Sequence, residues 1–321
     1  MLSPQRFRNR LLDWYDRNAR DLPWRRTKDP YRIWVSEIML QQTRVMTVIP
    51  YYRRFLERFP SVARLASAPL EEVLASWSGL GYYARVRSLH RAANQIVRRG
   101  RFPNTFEGLR ELAGVGEYTA AAVASIAFGL PHAVLDGNAR RVLSRLKCSD
   151  EGLPKLAATL LDRRDPGRYN QALMELGATI CLSGLPNCPQ CPLPEICLAN
   201  LCGKQEEFPA RKPRKATVRV AKTLLLVESS GKLLLWKRQG FWELPEVDQL
   251  PGAELGPELG RFRHSITNHQ YTFTVVSAGV RSRPPGFRWL CGRDLATLPI
   301  STVARKALGL RNMRAASLVN S

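Results

Sequence analysis

A chain of 321 residues, 45% hydrophobic and 24% charged, has room for two ordinary domain cores and a composition that excludes disordered and fibrous classes. Its 49 basic and 27 acidic residues give a net charge of +22, and the excess recurs on every segment: +11 over residues 1–202, +5 over 203–222 and +6 over 223–321. Such a surface favours a polyanion, with nucleic acid ahead of a membrane, although 39 Arg against 10 Lys is also what a GC-rich genome yields without any binding role. The N-terminus carries charges where a signal peptide needs an apolar run, and the longest nearly apolar stretch, Thr119–Leu130, is too short to cross a bilayer. An intracellular, cytoplasmic protein with no membrane association is expected.

From Arg6 to about Leu176 apolar residues recur at helical spacing, as in Ile33, Trp34, Ile38 and Leu40, or Val73, Leu74 and Trp77. Breaks at Pro23, Pro60, Pro69, Gly79 with Gly81, Pro103, Gly114 with Gly116, and Pro131 predict a succession of short helices. Residues 203–222 are polar, basic and contain two prolines, the signature of a linker. Beyond them, KTLLLVE and KLLLWKR flank Ser229, Ser230 and Gly231 as a hairpin, and QYTFTVV alternates with period two, so the last hundred residues read as α+β. The expected domains are 1–202 (helical), 203–222 (linker) and 223–321.

Four of the seven cysteines, Cys181, Cys188, Cys191 and Cys197, are separated by six, two and five residues. Thiols so placed in an intracellular chain read as a metal or cluster site. A four-cysteine zinc site usually has two short pairs; here there is one, and the spacing leans towards a [4Fe-4S] cluster. Cys202 lies near enough to confuse the ligand set, while Cys148 and Cys291 read as buried free thiols. The segment LRELAGVGEYTAAAVASIAF, residues 109–128, is a helix end, a tight turn at Gly114, Val115 and Gly116, and a second helix. Free N–H groups at such a turn and helix start can hold a phosphate. An ordinary helix hairpin is the alternative, and the basic charge of the region favours the clamp.

These segments, followed by Leu135-Asp136-Gly137-Asn138 and the cysteine loop 181–197, resemble the helix-hairpin-helix DNA glycosylase superfamily that contains endonuclease III. DLPWR (21–25), WVSEIMLQQT (34–43) and GLGYYARVR (79–87) narrow the resemblance to adenine DNA glycosylases of the MutY type, over residues 5–200. LLLWKRQGFWELP (233–245) is similar to the Nudix-like domain that this family carries. The fold implied is a mainly α glycosylase domain with an Fe-S cluster loop, plus an α+β Nudix-like C-terminal domain. Where the endonuclease III pattern has a lysine that cleaves the strand through a Schiff base, this chain has Tyr118. The expectation is a monofunctional enzyme, a monomer on the nucleoid, that acts on double-stranded DNA bearing adenine opposite 8-oxoguanine or guanine.

Breaking an N-glycosidic bond places positive charge on the sugar and negative charge on the departing base, which calls for a proton donor and a charge stabiliser. Glu37, set among Ile33, Trp34, Ile38 and Leu40, is expected to be partly buried with a raised pKa. The resemblance makes it the donor to adenine N7 and Asp136 the anion beneath the sugar; an exposed carboxylate and a helix N-cap are the respective alternatives. A stacked adenine must be flipped out. The resemblance assigns Gln42 and Tyr82 as wedges, Tyr82 beside the base opposite adenine, and places Arg25, Tyr118 and Asn138 around the pocket. Arg140, Arg141 and Arg145 are candidates for phosphate contact or for a solvated helix face.

After Pro245 the chain runs EVDQLPGAELGPELG, without the acidic helix that a working Nudix hydrolase needs, so the C-terminal domain is expected to bind rather than hydrolyse. Where the family often has Phe-Ser-His for reading 8-oxoguanine, this chain has Ile266, Thr267 and Asn268, with His269 one step later. Thr267 and His269 would share a strand face; a bent loop would instead present Thr267 with Asn268. The rival functions are an endonuclease III-like pyrimidine glycosylase and lyase, which Tyr118 opposes, and a non-enzymatic cluster-bearing DNA-binding protein, which the two carboxylates oppose.

Overall fold

The computed structural model describes residues 3–210 and 216–319, and side chains of the last helix as far as residue 310. The chain forms two compact units, Met1–Ser67 with Ser88–Pro213, and Ala68–Arg87 with Arg214–Ser321. The expected division into 1–202, 203–222 and 223–321 differs in two ways. Residues 68–87 group with the C-terminal part, and strand β1 (Val218–Ser229) starts inside the stretch read as linker. The alternation Val218, Val220 was there to be read, but two prolines and a run of basic residues masked it.

In chain order the helices are α1 (Pro4–Asn18), α2 (Pro30–Leu40), α3 (Val45–Arg58), α4 (Val62–Ser67), α5 (Leu70–Trp77), α6 (Ala84–Arg98), α7 (Phe106–Arg110), α8 (Glu117–Phe128), α9 (Gly137–Lys147), α10 (Leu153–Leu160), α11 (Pro166–Thr179) and α12 (Leu198–Leu201). Several begin with a local device that the sequence encodes. Ser3, Asp29, Asp136 and Asp165 each accept a backbone N–H in the first turn, and Pro4, Pro30 and Pro166 occupy first helical positions. In the first unit, α8 is buried along nearly its whole length, because its Ala-rich surface lets α2 and α11 approach closely. At Gly167 an added Cβ would lie 2.8 Å from the Ser125 carbonyl oxygen. Leu11, Leu143, Leu160, Tyr169, Leu173 and Leu176 belong to a core shared by α1, α9, α10 and α11.

The second unit is built on a sheet ordered β3 (Phe241–Glu243), β2 (Lys232–Arg238), β1, β5 (His269–Gly279), β4 (Glu254–Ile266), with β6 (Phe287–Leu290) also pairing β2. The expected hairpin is present: Glu228 faces Leu233 and Ser229 faces Lys232, and Ser230 and Gly231 turn at φ 48° and 72°. Central strand β1 runs parallel to β5, from Val218 opposite His269 to Val227 opposite Ala278. Leu224 and Leu226 pack on one face with Ala304 and Ala307 of α14 (Thr302–Val319), whereas Leu225 and Val227 pack on the other with Leu250 and Phe287. That two-sided burial is why KTLLLVE reads as a continuous apolar run. Between β3 and β4 the described residues form one 3₁₀ turn, Val247–Gln249, where a Nudix hydrolase would carry its acidic helix; α13 (Gly292–Thr297) comes later.

Candidate active site

Helix α2 is buried on almost every side, and Glu37 in its third turn is 4% exposed. Burial pushes its carboxyl up to about 7; the hydroxyl of Tyr118, which donates to Glu37 Oε2, opposes the shift, and nearby Asp136 adds to it. Tyr118 stands in the first turn of α8, just past the hairpin glycines, with its oxygen 3.8 Å from Met174 Sδ. Burial, with Glu37 and Asp136 close by, holds its phenol well above the ordinary range.

Asp136 is held from two directions. Buried Asn170 accepts from Val134 N at 3.1 Å and donates to the His132 carbonyl at 2.8 Å and to Ser125 Oγ at 2.9 Å, which pins the strap that delivers Asp136. Asp136 Oδ1 then accepts the Ala139 N–H at 2.7 Å and caps α9. The cap role that the sequence offered as an alternative is therefore real, and it coexists with a place in the site. Burial raises the Asp136 pKa, opposed by the N–H groups of Ala139 and Asn138 and by Arg141.

Glu37, Tyr118, Asp136, Asn138 and Arg25 line one cavity of about 250 Å³. Its other wall was not apparent in the motifs. Glu175 of α11, 1% exposed, accepts from Arg20 Nε at 2.7 Å, Arg20 Nη2 at 2.7 Å and Arg25 Nη2 at 2.7 Å. Burial alone would raise its pKa, but the hydrogen bonds from Arg20 and Arg25 prevail and hold it at about 2. A carboxylate at the Glu175 position of RYNQALMELGAT, flanked by the apolar Leu173 and Leu176, was the available signal: a buried acid implies a buried cation. Arg25 is thereby locked, its Nη1 also donating to the Arg20 carbonyl at 2.9 Å.

The hairpin turn is less open than the sequence implied. Val115 is buried, and its N–H is spent on the Leu112 carbonyl at 3.1 Å, so within the turn the exposed positions are Gly114 and Gly116. Gly114 has φ 76°, and a Cβ there would lie 2.5 Å from Ser88 Cβ. Gln42, exposed, follows α2 at φ 57°, a left-handed conformation that a non-glycine residue holds only under constraint. Tyr82 belongs to the other unit, is 47% exposed and has φ 50°.

The arginines of α9 divide. Arg140 is exposed. Arg145 is 2% exposed, and its guanidinium donates to the carbonyls of Gln205 at 2.7 Å, Phe208 at 3.0 Å and Leu182 at 2.8 Å and lies 3.3 Å from Cys181 Sγ. It is a strut of the cysteine loop, which rules out the phosphate contact and the solvated face considered for it. Arg141 likewise donates to the Cys181 carbonyl at 2.7 Å and to Asn138 Oδ1 at 2.9 Å. Cys181, Cys188, Cys191 and Cys197 line one small cavity with Arg145 and Gln205. Among the described residues no three His, Cys, Asp or Glu groups converge closely enough to hold a metal ion. Four thiols lining one hollow are a donor set whose chemistry suits a metal ion or a cluster. Cys202 is exposed and does not line that cavity. Cys148 and Cys291 are free and half-buried rather than buried; Cys148 ends α9 at φ 55°.

In the second unit Ile266 pairs with His269, so Thr267 and Asn268 are the two residues of a tight turn, Thr267 at φ 53°. Thr267 and His269 therefore do not share a strand face; the bent-loop alternative describes the geometry. Asn268 Nδ2 donates to the Ala216 carbonyl at 3.1 Å, while His269 stacks towards Tyr271 with ring centres 6.0 Å apart.

Residues 35–164 match the pattern of the HhH-GPD superfamily of base excision DNA repair proteins. Human adenine DNA glycosylase is 34% identical over an alignment covering 94% of this chain and 73% of that protein. Adenine DNA glycosylase of Buchnera aphidicola is 38% identical over 74% of this chain and 71% of that one. Among solved structures, a thermostable thymine-DNA glycosylase has a TM-score of 0.59 and 30% identity, covering 62% of this chain and 97% of its own. Endonuclease III in a non-covalent DNA complex, at 23% identity and a TM-score of 0.55, shares the fold. With the Glu37 and Asp136 carboxyls lining one cavity beside a helical hairpin and relatives that align along most of the chain, the chain belongs to the adenine DNA glycosylases of the helix-hairpin-helix base excision repair superfamily.

Proposed function

We propose that this chain hydrolyses the N-glycosidic bond of adenine mispaired with 8-oxoguanine or guanine in duplex DNA and leaves the strand intact. The observation that carries the proposal is Tyr118 hydrogen-bonded to Glu37 in a cavity that no lysine among the described residues lines. A lyase needs an amine there; a phenol serves to orient the acid. Glu37, about half protonated near neutral pH, donates to adenine N7 as the electron pair of the C1′–N9 bond withdraws into the base. Asp136 in its anionic form stabilises the positive sugar, and water then adds at C1′, losing its proton to Glu37. Arg25, fixed by Glu175, and Asn138, fixed by Arg141, orient the base and sugar from the cavity wall. Gln42 and Tyr82, both exposed and both held at positive φ, fill the gap left by the flipped base. The turn at Thr267 and Asn268, with His269 beside it, reads the base opposite adenine. The enzyme acts as a monomer on the nucleoid.

Strand-cleavage assays on duplexes holding adenine opposite 8-oxoguanine, adenine opposite guanine, and thymine glycol test this reading. Cleavage is expected for the adenine duplexes alone and only after hot alkali. Cleavage without alkali, or a borohydride-trapped covalent complex on thymine glycol, would establish the rival lyase.

The cysteine loop is proposed to hold a [4Fe-4S] cluster, bound by Cys181, Cys188, Cys191 and Cys197. A cluster there would tie the ends of the loop rigidly together, and Arg145 holds the carbonyls of the loop beside it. Burial pushes the Cys191 thiol up to about 12 and raises that of Cys197, so protons must leave as metal enters. Anaerobically purified protein is expected to contain about four irons per chain and to absorb broadly in the visible. Cys188→Ser should lose the iron, and Cys202→Ser should keep it. Stoichiometric zinc in place of iron would overturn the assignment.

A further inference from the structure

The segment that carries Tyr82 is built into the second unit rather than onto its surface. Ser78 Oγ donates to the Ile300 carbonyl at 2.6 Å and receives Arg305 Nε at 3.1 Å. Glu71 accepts from Lys237 Nζ at 2.8 Å and from Trp242 Nε1 at 3.4 Å. The β2–β3 turn presses against α5 at Gly240, where φ is 83° and an added Cβ would lie 2.7 Å from Leu74 Cδ1. Next to the wedge itself, the Tyr83 ring lies 3.8 Å from the Phe241 ring, centre to centre, and the Tyr83 hydroxyl is 2.9 Å from Thr302 Oγ1 at the start of α14.

Between these anchors the backbone is forced to positive φ at three of four successive residues, Gly79 at 104°, Gly81 at 73° and Tyr82 at 50°. Two of the three are glycines, for which such angles carry no steric cost; Tyr82 is not, and its Cβ makes the conformation unfavourable unless something holds it there. The constraint must come from its surroundings. Arg85 supplies part of it, with its guanidinium 5.4 Å from the Tyr82 ring centre and 5.5 Å from that of Trp77, and with Nη2 donating to the Gly81 carbonyl at 3.2 Å. The neighbouring residue restrains the other side: with the Tyr83 ring held by Phe241 and Thr302 and the Gly81 carbonyl held by Arg85, the backbone is anchored on both sides of Tyr82, and with it the direction of its Cα–Cβ bond.

We propose that Tyr83, clamped by Phe241 and Thr302, is a positioning residue for Tyr82, so that the sheet unit governs the wedge as well as carrying its own reading turn. The proposal rests on the reading of Tyr82 as the wedge beside the base opposite adenine. The C-terminal part of the chain then acts on the opposite base by two routes, one through residues 266–269 and one through the attitude of Tyr82.

The test uses the full chain and a duplex with adenine opposite 8-oxoguanine, 2-aminopurine beside the 8-oxoguanine, and a 2′-fluoro sugar that retains the adenine. Insertion of Tyr82 unstacks the probe and raises its fluorescence; Tyr82→Ala is expected to abolish the rise. Thr302→Val and Tyr83→Phe are each expected to diminish it and, on the unmodified substrate, to slow single-turnover excision about 3- to 10-fold, the effect of one lost hydrogen bond. Thr302→Ser, which keeps the hydroxyl, should restore both signals. In a Tyr82→Ala background Thr302→Val should add less than about two-fold, because the two residues act in series. Wild-type fluorescence in Thr302→Val and Tyr83→Phe, or an undiminished further loss in the Tyr82→Ala background, would overturn the proposal. A wild-type signal from Tyr82→Ala would instead overturn the wedge reading beneath it.

Discussion

Glu37→Gln is expected to bind DNA with adenine opposite 8-oxoguanine as the wild type does and to excise the base about 10²- to 10⁴-fold more slowly, the usual range for loss of a general acid. The amide keeps the shape and can still accept from Tyr118, so the loss isolates proton transfer; a wild-type single-turnover rate would refute the assignment. The pH dependence carries a sign. With the carboxyl at about 7, the wild-type rate should fall as pH rises through 7, since the donor is then ionised. Stability moves with it. Raised from an unfolded value of 4.5 to about 7 in the fold, Glu37 is without penalty below pH 4.5, and as pH climbs from there through 7 the native state loses about 3 kcal/mol relative to an unshifted group. Glu37→Gln should therefore melt above wild type at pH 8.5 and close to it at pH 4.5, a divergence that calorimetry at two pH values would reveal or exclude.

Asp136→Asn should lower excision about 10²- to 10³-fold by removing the charge that opposes the oxocarbenium ion. This substitution separates the two roles of Asp136, because asparagine is as good an N-cap as aspartate. Melting temperature should change little, whereas Asp136→Ala should lose catalysis and about 1 kcal/mol of stability by leaving the Ala139 N–H without its acceptor. Comparable excision by Asp136→Asn and the wild type would reduce Asp136 to a cap.

The helical half was legible because apolar residues recur at helical spacing and its breaks are chemically marked. Pro60, Pro69 and Pro103 separate successive helices, and the Gly-Val-Gly turn announces α8. Glu37 was legible for a related reason, since a lone acid in a continuous apolar run has nowhere to go but inward. Glu175 was not: its meaning depends on Arg20 and Arg25, 155 and 150 residues away, and no local period records a tertiary ion pair. Arg145 misled in the opposite sense. On a helix with Arg140 and Arg141 it looks like one of a basic face, and only the carbonyls of the cysteine loop closing over it show that it is interior. At the Thr267–Asn268 turn, strand periodicity was extended one residue too far; with Ile266 paired to His269, two residues remain for the reversal, and side-chain alternation ends there.

The grouping of residues 68–87 with the C-terminal sheet also bears on how the molecule is assembled. Ser78 and the Ile300 carbonyl it meets are 222 residues apart in the chain, so this contact closes a very long loop. Loop closure is paid in entropy before it returns any enthalpy, and contacts of such separation form late. During synthesis Leu74, Trp77 and Tyr83 emerge well before Phe241, Gly240 and Thr302 exist, and α5 must wait with an apolar face incompletely covered. The segment bearing Tyr82 thus reaches its final geometry after the rest of the helical core has been made, and the two-part unit that holds it is the natural place for native-state hydrogen exchange to find the earliest cooperative opening.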